Sequence, residues 1–174
     1  RETAGYDINV RYRLPETAFG KFAVNWNTTY TDYLEQRNDS AATTPVEQRT
    51  GWAGDFRVRS TFNLDWQYGD LGIGWTARYY SSMKEKCSYM DECNMPGFNS
   101  SYTSASPTNK VGSNTFHDLQ VSWKAPWDAT IALGANNVFD HKGPIMFTQP
   151  NSSFAYYGGF DVGRFLYMKY TQRF

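Results

Sequence analysis

From Asp55 to Tyr80 the chain reads DFRVRSTFNLDWQYGDLGIGWTARYY. Before the Tyr68-Gly69-Asp70 turn, Phe56, Val58, Phe62, Leu64 and Trp66 alternate with Asp55, Arg57, Arg59, Thr61, Asn63 and Asp65. After it, Leu71, Ile73, Trp75, Ala77 and Tyr79 alternate with Gly72, Gly74, Thr76, Arg78 and Tyr80. Successive side chains of a strand point to opposite faces. A period of two therefore predicts a pair of antiparallel strands with one apolar and one polar face. The polar face holds too many charges for a packed interior, where Arg, Lys and Asp are rarely buried without partners.

The same alternation recurs on both sides of this hairpin. A strand over about Thr3–Leu14 sets Tyr6, Ile8, Val10, Tyr12 and Leu14 against Asp7, Asn9, Arg11 and Arg13. The next sets Phe22, Val24, Trp26, Thr28 and Tyr30 against Lys21, Asn25, Asn27 and Thr29. A fifth has Leu119, Val121 and Trp123 opposite Asp118, Gln120, Ser122 and Lys124, and a sixth shows Ile131, Leu133 and Ala135. The last has Leu166, Met168, Tyr170 and Phe174 opposite Tyr167, Lys169, Thr171 and Arg173. Short polar turns near 15–19, 67–70 and 125–128 alternate with long polar connections near 35–50, 81–113 and 140–161.

Strands of about 10–13 residues exceed the ~5–6 usual in globular sheets and suit a tilted membrane strand of ~9–11. Outer-membrane barrels also combine short periplasmic turns with long outer loops. The fold expected is thus all-β, a transmembrane antiparallel β-barrel. A lipid-facing apolar side, a wet lumen and an outer start for the first strand follow from it. Aromatics make up 18% of the chain, with 13 Tyr, 12 Phe and 6 Trp, although its mean hydropathy is low. That mixture suits a surface meeting both lipid and water. No apolar run reaches the ~18–20 residues of a membrane helix. A formal charge of zero gives no reason to expect a nucleic-acid partner. Seven strands are odd in number and fewer than the ~8 of the smallest barrels. Further strands are expected, before Arg1 or on another chain.

Some segments resemble a known family. Gly163-Arg164-Phe165-Leu166-Tyr167-Met168-Lys169-Tyr170-Thr171-Gln172-Arg173-Phe174 is similar to the last strand of outer-membrane proteins. There, alternate apolar residues and a terminal Phe form the signal read by the barrel-assembly machinery. The resemblance gives that role to Leu166, Met168, Tyr170 and Phe174. Leu133-Gly134-Ala135-Asn136-Asn137-Val138-Phe139-Asp140 resembles the penultimate strand of TonB-dependent receptors and its exit into the last outer loop. Glu2-Thr3-Ala4-Gly5-Tyr6-Asp7, Arg11-Tyr12-Arg13-Leu14-Pro15 and His117-Asp118-Leu119-Gln120-Val121 look like other parts of that family.

The resemblance covers nearly the whole chain. It implies that residues 1–174 are the C-terminal seven strands of a barrel of about 22 strands, its lumen filled by a plug. The plug and the motif that touches TonB are not in this chain. The implied function is uptake of a scarce nutrient, of the siderophore, cobalamin or oligosaccharide class, across the bacterial outer membrane. The implied partners are outer-membrane lipid, the rest of the barrel and its plug, the TonB complex through that plug, and the small-molecule nutrient. Gln172 departs from the pattern, since an apolar residue is usual there.

Arg57, Arg59 and Arg78 are candidate lumen groups for an anionic ligand. The plainer reading is that they solvate the lumen and pair with Asp55, Asp65 and plug carboxylates. Tyr89, Phe98, Tyr102, Phe154, Tyr156 and Tyr157 of the outer loops could stack on a ligand, or pack loop on loop. Cys87 and Cys93, with five residues between them, are compatible with a disulfide and an oxidising compartment. A free or metal-bound pair is the other reading, and no His or further Cys lies near to complete a metal site. No metal or cofactor is expected. His117 follows the outward parity of Leu119 and Val121, at the outer lipid boundary, and His141 falls in a loop. Two histidines without a nucleophile context do not suggest a hydrolase, so no enzyme is expected. The competing readings are a passive porin-type channel, a surface assembly and a soluble lectin-like sandwich.

Overall fold

The computed structural model describes residues 1–37, 45–86, 108–144 and 163–173. Cys87, Cys93, Tyr89, Phe98, Tyr102, Phe154, Tyr156, Tyr157 and Phe174 lie outside the described residues.

Seven long strands follow one another in a meander. They are β1 (Glu2–Arg13), β2 (Lys21–Gln36), β4 (Val58–Tyr68), β5 (Leu71–Tyr80), β8 (Asn114–Ala125), β9 (Ala129–Asn136) and β10 (Phe165–Gln172). Each pairs antiparallel with the next, in the order β1-β2-β4-β5-β8-β9-β10. Three short strands sit in the long connections: β3 (Glu47–Gln48) on β2, and β6 (Met83–Lys86) paired with β7 (Thr108–Val111). Among the described residues there is no helix. The expected all-β antiparallel sheet is present. It is an open single layer, since β1 and β10 are its two edges and do not pair with each other.

The register turns the sequence periodicity into rows. Tyr12, Val24, Leu64, Trp75, Leu119, Ala135 and Leu166 stand side by side across all seven strands. Beside them run Phe22, Trp66, Ile73, Val121, Leu133 and Met168. The opposite face carries Arg11, Asn25, Asn63, Thr76 and Asp118 in one such row. In a soluble sandwich the apolar rows would be covered by a second sheet about 10 Å away. Here they are open, with Leu133 57% and Met168 71% exposed.

Tight turns close the short connections. At the β1–β2 turn Thr17 and Gly20 exchange backbone hydrogen bonds, and Gly20 holds φ at 106°. At the β8–β9 turn Asp128 takes a φ of 56°, a region Asp tolerates better than most side chains.

The buried core lies in an unexpected place. Phe56, Met83 and Phe116 pack together with Ala53, Tyr80 and Val111. Phe116 pairs with Arg78, so it stands on the polar side of the sheet. Phe56, expected on the outward apolar face, belongs instead to this inner cluster. The reason is that β4 begins only at Val58, and residues before it are free of the strand alternation. Arg57 departs the other way. Its Nη1 donates to the phenol oxygen of Tyr30 at 3.4 Å and to the Asp32 carbonyl at 3.2 Å. Tyr30 stacks on Tyr6 on the outward face, so Arg57 leaves the polar face.

A bulge resets the parity of β2. Ala4 pairs with Tyr33 and Gly5 with Thr31, which leaves Asp32 as an extra residue. Beyond it Leu34 turns to the polar side and is buried.

Candidate functional site on the polar face

The polar face is a hydrogen-bonded mat. Thr29 donates to Asp7 at 2.6 Å, Asn9 to Asn27, and Thr76 to Asn63 at 2.8 Å. Cross-strand neighbours on one face are close enough for such pairs. Near the end of this face that carries the long connections stands the Arg78–Asp118 pair, one residue from each of β5 and β8. Nε and Nη2 of Arg78 each donate to a different Asp118 oxygen at 3.0 Å. This fork geometry is the strong form of the ion pair. Arg78 is 8% exposed and its guanidinium lies 5.5 Å from the Phe116 ring centre, a cation–π contact.

Asp118 serves a second partner. Its Oδ1 also accepts the backbone N–H of Asn137 at 2.8 Å, just past the end of β9. Asn137 is 1% exposed, and its side chain closes a ring with the His141 backbone: Nδ2 donates to the carbonyl at 2.8 Å and Oδ1 accepts the N–H at 2.9 Å. Asn137 and Asp140 hold φ of 50° and 52°, a left-handed conformation in which Asn and Asp are enriched. Nε2 of His141 then meets Oδ1 of Asn114 at 2.8 Å, and its ring stands edge-on to Phe116 at 5.3 Å. Asp140 accepts the Arg164 N–H at 2.8 Å, tying in the start of β10. Phe139 points to the other face and meets His117, which stacks on Trp75. Residues 137–141 thus rivet three strands together from both faces, at the end that carries the long connections.

The candidate residues disperse. Arg78 sits at the centre of this cluster and is used structurally by Asp118. Arg59 is exposed on the polar face, beside a small depression that also involves Arg1, Asp55 and Leu34. Among the described residues Arg11, Arg13 and Arg59 have no carboxylate within ion-pair distance. Asp55 pairs with Arg1 and Arg49, both at 3.4 Å, and not with Arg57, Arg59 or Arg78. Asp65 instead leans over Gly74. Toward the end with the short turns, an open depression of about 620 Å³ has Gly72 and Gly74 as its floor and Arg13, Lys21, Asp65, Gln120 and Lys124 around it. Ser122 and Asp65 lie over the two glycines, so the floor is already covered by the protein's own polar groups.

Leu166, Met168 and Tyr170 project from the outward face of β10, all exposed. Gln172 is explained by its partners. Its Nε2 donates to the Trp127 carbonyl at 2.9 Å and its Oε1 accepts the Tyr170 hydroxyl at 2.5 Å. The amide therefore closes the rim where the apolar face ends. Asp118, Asn114 and Asn137 were not singled out by sequence reasoning. The matched polar parity of Arg78 and Asp118 was the available signal, but only the register shows that they meet.

The chain matches no protein-family model and no curated protein.

Proposed function

We propose that this chain is the C-terminal, seven-strand part of an outer-membrane β-barrel of the TonB-dependent receptor type, which imports a scarce small-molecule nutrient. The observation that carries this reading is the uncovered row from Tyr12 to Leu166, seven strands wide. With its neighbouring rows it spans roughly 30 Å across the strands and roughly 20 Å along them. That is about 600 Å² in projection, at the upper end of the largest apolar patches of soluble monomers. Hydrocarbon is the cover that suits such a face on a charged, single-layer sheet.

Aromatic groups at both ends of the apolar rows agree with lipid on that side. Tyr6 and Tyr30 stack at the end near the long connections. Trp66 stacks on Tyr68, and Trp123 meets Trp127, at the end with the short turns. Two of the indoles reach polar partners, Trp66 on the Phe19 carbonyl at 2.7 Å and Trp26 on the Ser60 hydroxyl at 2.8 Å. Amphipathic rings in this arrangement form interfacial belts. The free edges of β1 and β10 would each leave unsatisfied backbone groups costing several kcal/mol in lipid. Closure by further strands removes that cost. The polar face then lines a lumen that takes a plug, and the TonB complex acts on the plug. The long connections face outward to the nutrient.

Two measurements test the proposal. In vesicles with brominated acyl chains, a protein retaining Trp75 as its sole tryptophan should be strongly quenched by the lipid and poorly by acrylamide. The reverse pattern would remove the barrel. Deleting the energy-coupling gene in the host should abolish accumulation of the nutrient. Uptake that continued unchanged would leave a passive channel in its place.

A further inference from the structure

We propose that residues 49–56, β6 and residues 137–141, the described ends of the three long connections, are one cooperative unit, joined on the polar face through Phe116 and Asp118, so that displacing residues 137–141 opens the cap made by the other two. The cap comes first. Residues 49–56 of the first connection lie against β6 of the second. Ala53 N–H donates to the Lys84 carbonyl at 2.9 Å, and Lys84 N–H donates to the Gly51 carbonyl at 2.8 Å. Nζ of Lys84 also lies 4.5 Å from the Trp52 ring centre. Phe56 from the first connection and Met83 from the second close over Phe116, which is fully buried.

The third connection reaches the same two residues of β8. His141 abuts the Phe116 ring, and Asn137 shares the Asp118 carboxylate with Arg78. Arg78 in turn lies against Phe116. Among the described residues, the third connection reaches the cap through Asn114, Phe116, Asp118 and Arg78. Local opening in proteins follows such contiguous units. The inference concerns the fold of the connections and does not depend on the membrane reading.

Coupling is reciprocal, which gives the test two arms. Amide hydrogen exchange is measured on the full chain in micelles. Asn137→Gly keeps the left-handed backbone and removes the side chain that holds His141. It should accelerate the Ala53 and Lys84 amides by about tenfold or more, equal to about 1.4 kcal/mol of opening free energy. Phe56→Ala, at the far end, should in the same way accelerate the His141 and Arg164 amides. Acceleration confined in each variant to its own connection overturns the proposal. If Asn137→Gly does not fold, the Phe56→Ala arm and Asn114→Ala, which removes the acceptor of His141 Nε2, carry the same two outcomes.

Discussion

The phenol of Tyr167 on β10 lies across the backbone of Gly134 on β9, and its hydroxyl donates to Oε1 of Gln120 on β8 at 3.1 Å. These three residues stand in one row of the register. A side chain at position 134 would occupy the space that the ring fills. Gly134 is therefore the place where the edge strand is fastened to the interior of the sheet.

Gly134→Ala should destabilise the sheet by about 1–3 kcal/mol, the usual cost of overpacking. In a Tyr167→Ala background the same substitution should cost far less, since the clash is gone. Equilibrium denaturation of the four proteins in micelles gives the comparison. Equal effects of Gly134→Ala in both backgrounds would show that the ring does not rest there in solution.

Removing Asp118 leaves the Arg78 guanidinium buried without its fork partner. Asp118→Ala should cost about 3 kcal/mol. That is the low end of the range for a buried pair, because the Asp118 side chain is 22% exposed and partly screened. Arg78→Met combined with Asp118→Leu should be less destabilising than the sum of the single changes. A double-mutant cycle by denaturation measures the difference, and strict additivity would mean that the pair is not coupled.

Phe56 and Phe62 have the same parity in sequence and opposite fates. Phe56→Ala empties the inner cluster and should cost about 3–5 kcal/mol. Phe62 stands on the outward face, where it meets Trp75 edge-on at 5.8 Å. Phe62→Ala should lose only the aromatic pair, about 0.5–1.5 kcal/mol. A reversed ranking in thermal denaturation would place Phe56 on the surface.

Leu119 and Gln120 are adjacent and face opposite sides. In phospholipid vesicles Leu119→Arg should cost about 2–4 kcal/mol, as for a charge facing the middle of a bilayer. Gln120→Arg, on the polar face, should cost only the hydrogen bond from Tyr167, about 1 kcal/mol. Equal folding free energies for the two variants would count against lipid on the Leu119 side.

Much of this fold was legible in the alternation of single residues. Tyr12, Val24, Leu64, Trp75, Leu119 and Leu166 were each assigned to the apolar face from their own strand, and the register brings them into one row. The parity rule failed where the backbone stops being a regular strand. Phe56 and Arg57 precede β4, and Leu34 follows the bulge at Asp32. A single inserted or unpaired residue flips every later side chain to the other face. The candidate site was legible only in part. Arg78 was named, but it forks onto Asp118 40 positions away, and Asp118 in turn accepts from Asn137, 19 positions further on, separations that no local pattern encodes.

By itself the sequence determined the strands, their two faces and the alternation of short and long connections. Those features depend on the chemistry of neighbours two residues apart. The tertiary structure alone decided that the apolar rows stay uncovered, that the core forms on the polar side of the sheet, and that Asp118 ties Arg78 of β5 to Asn137. These outcomes depend on which distant strands lie side by side and on where the backbone departs from its pleat. Packing and register settle both, because they compare whole arrangements of the chain and not successive residues.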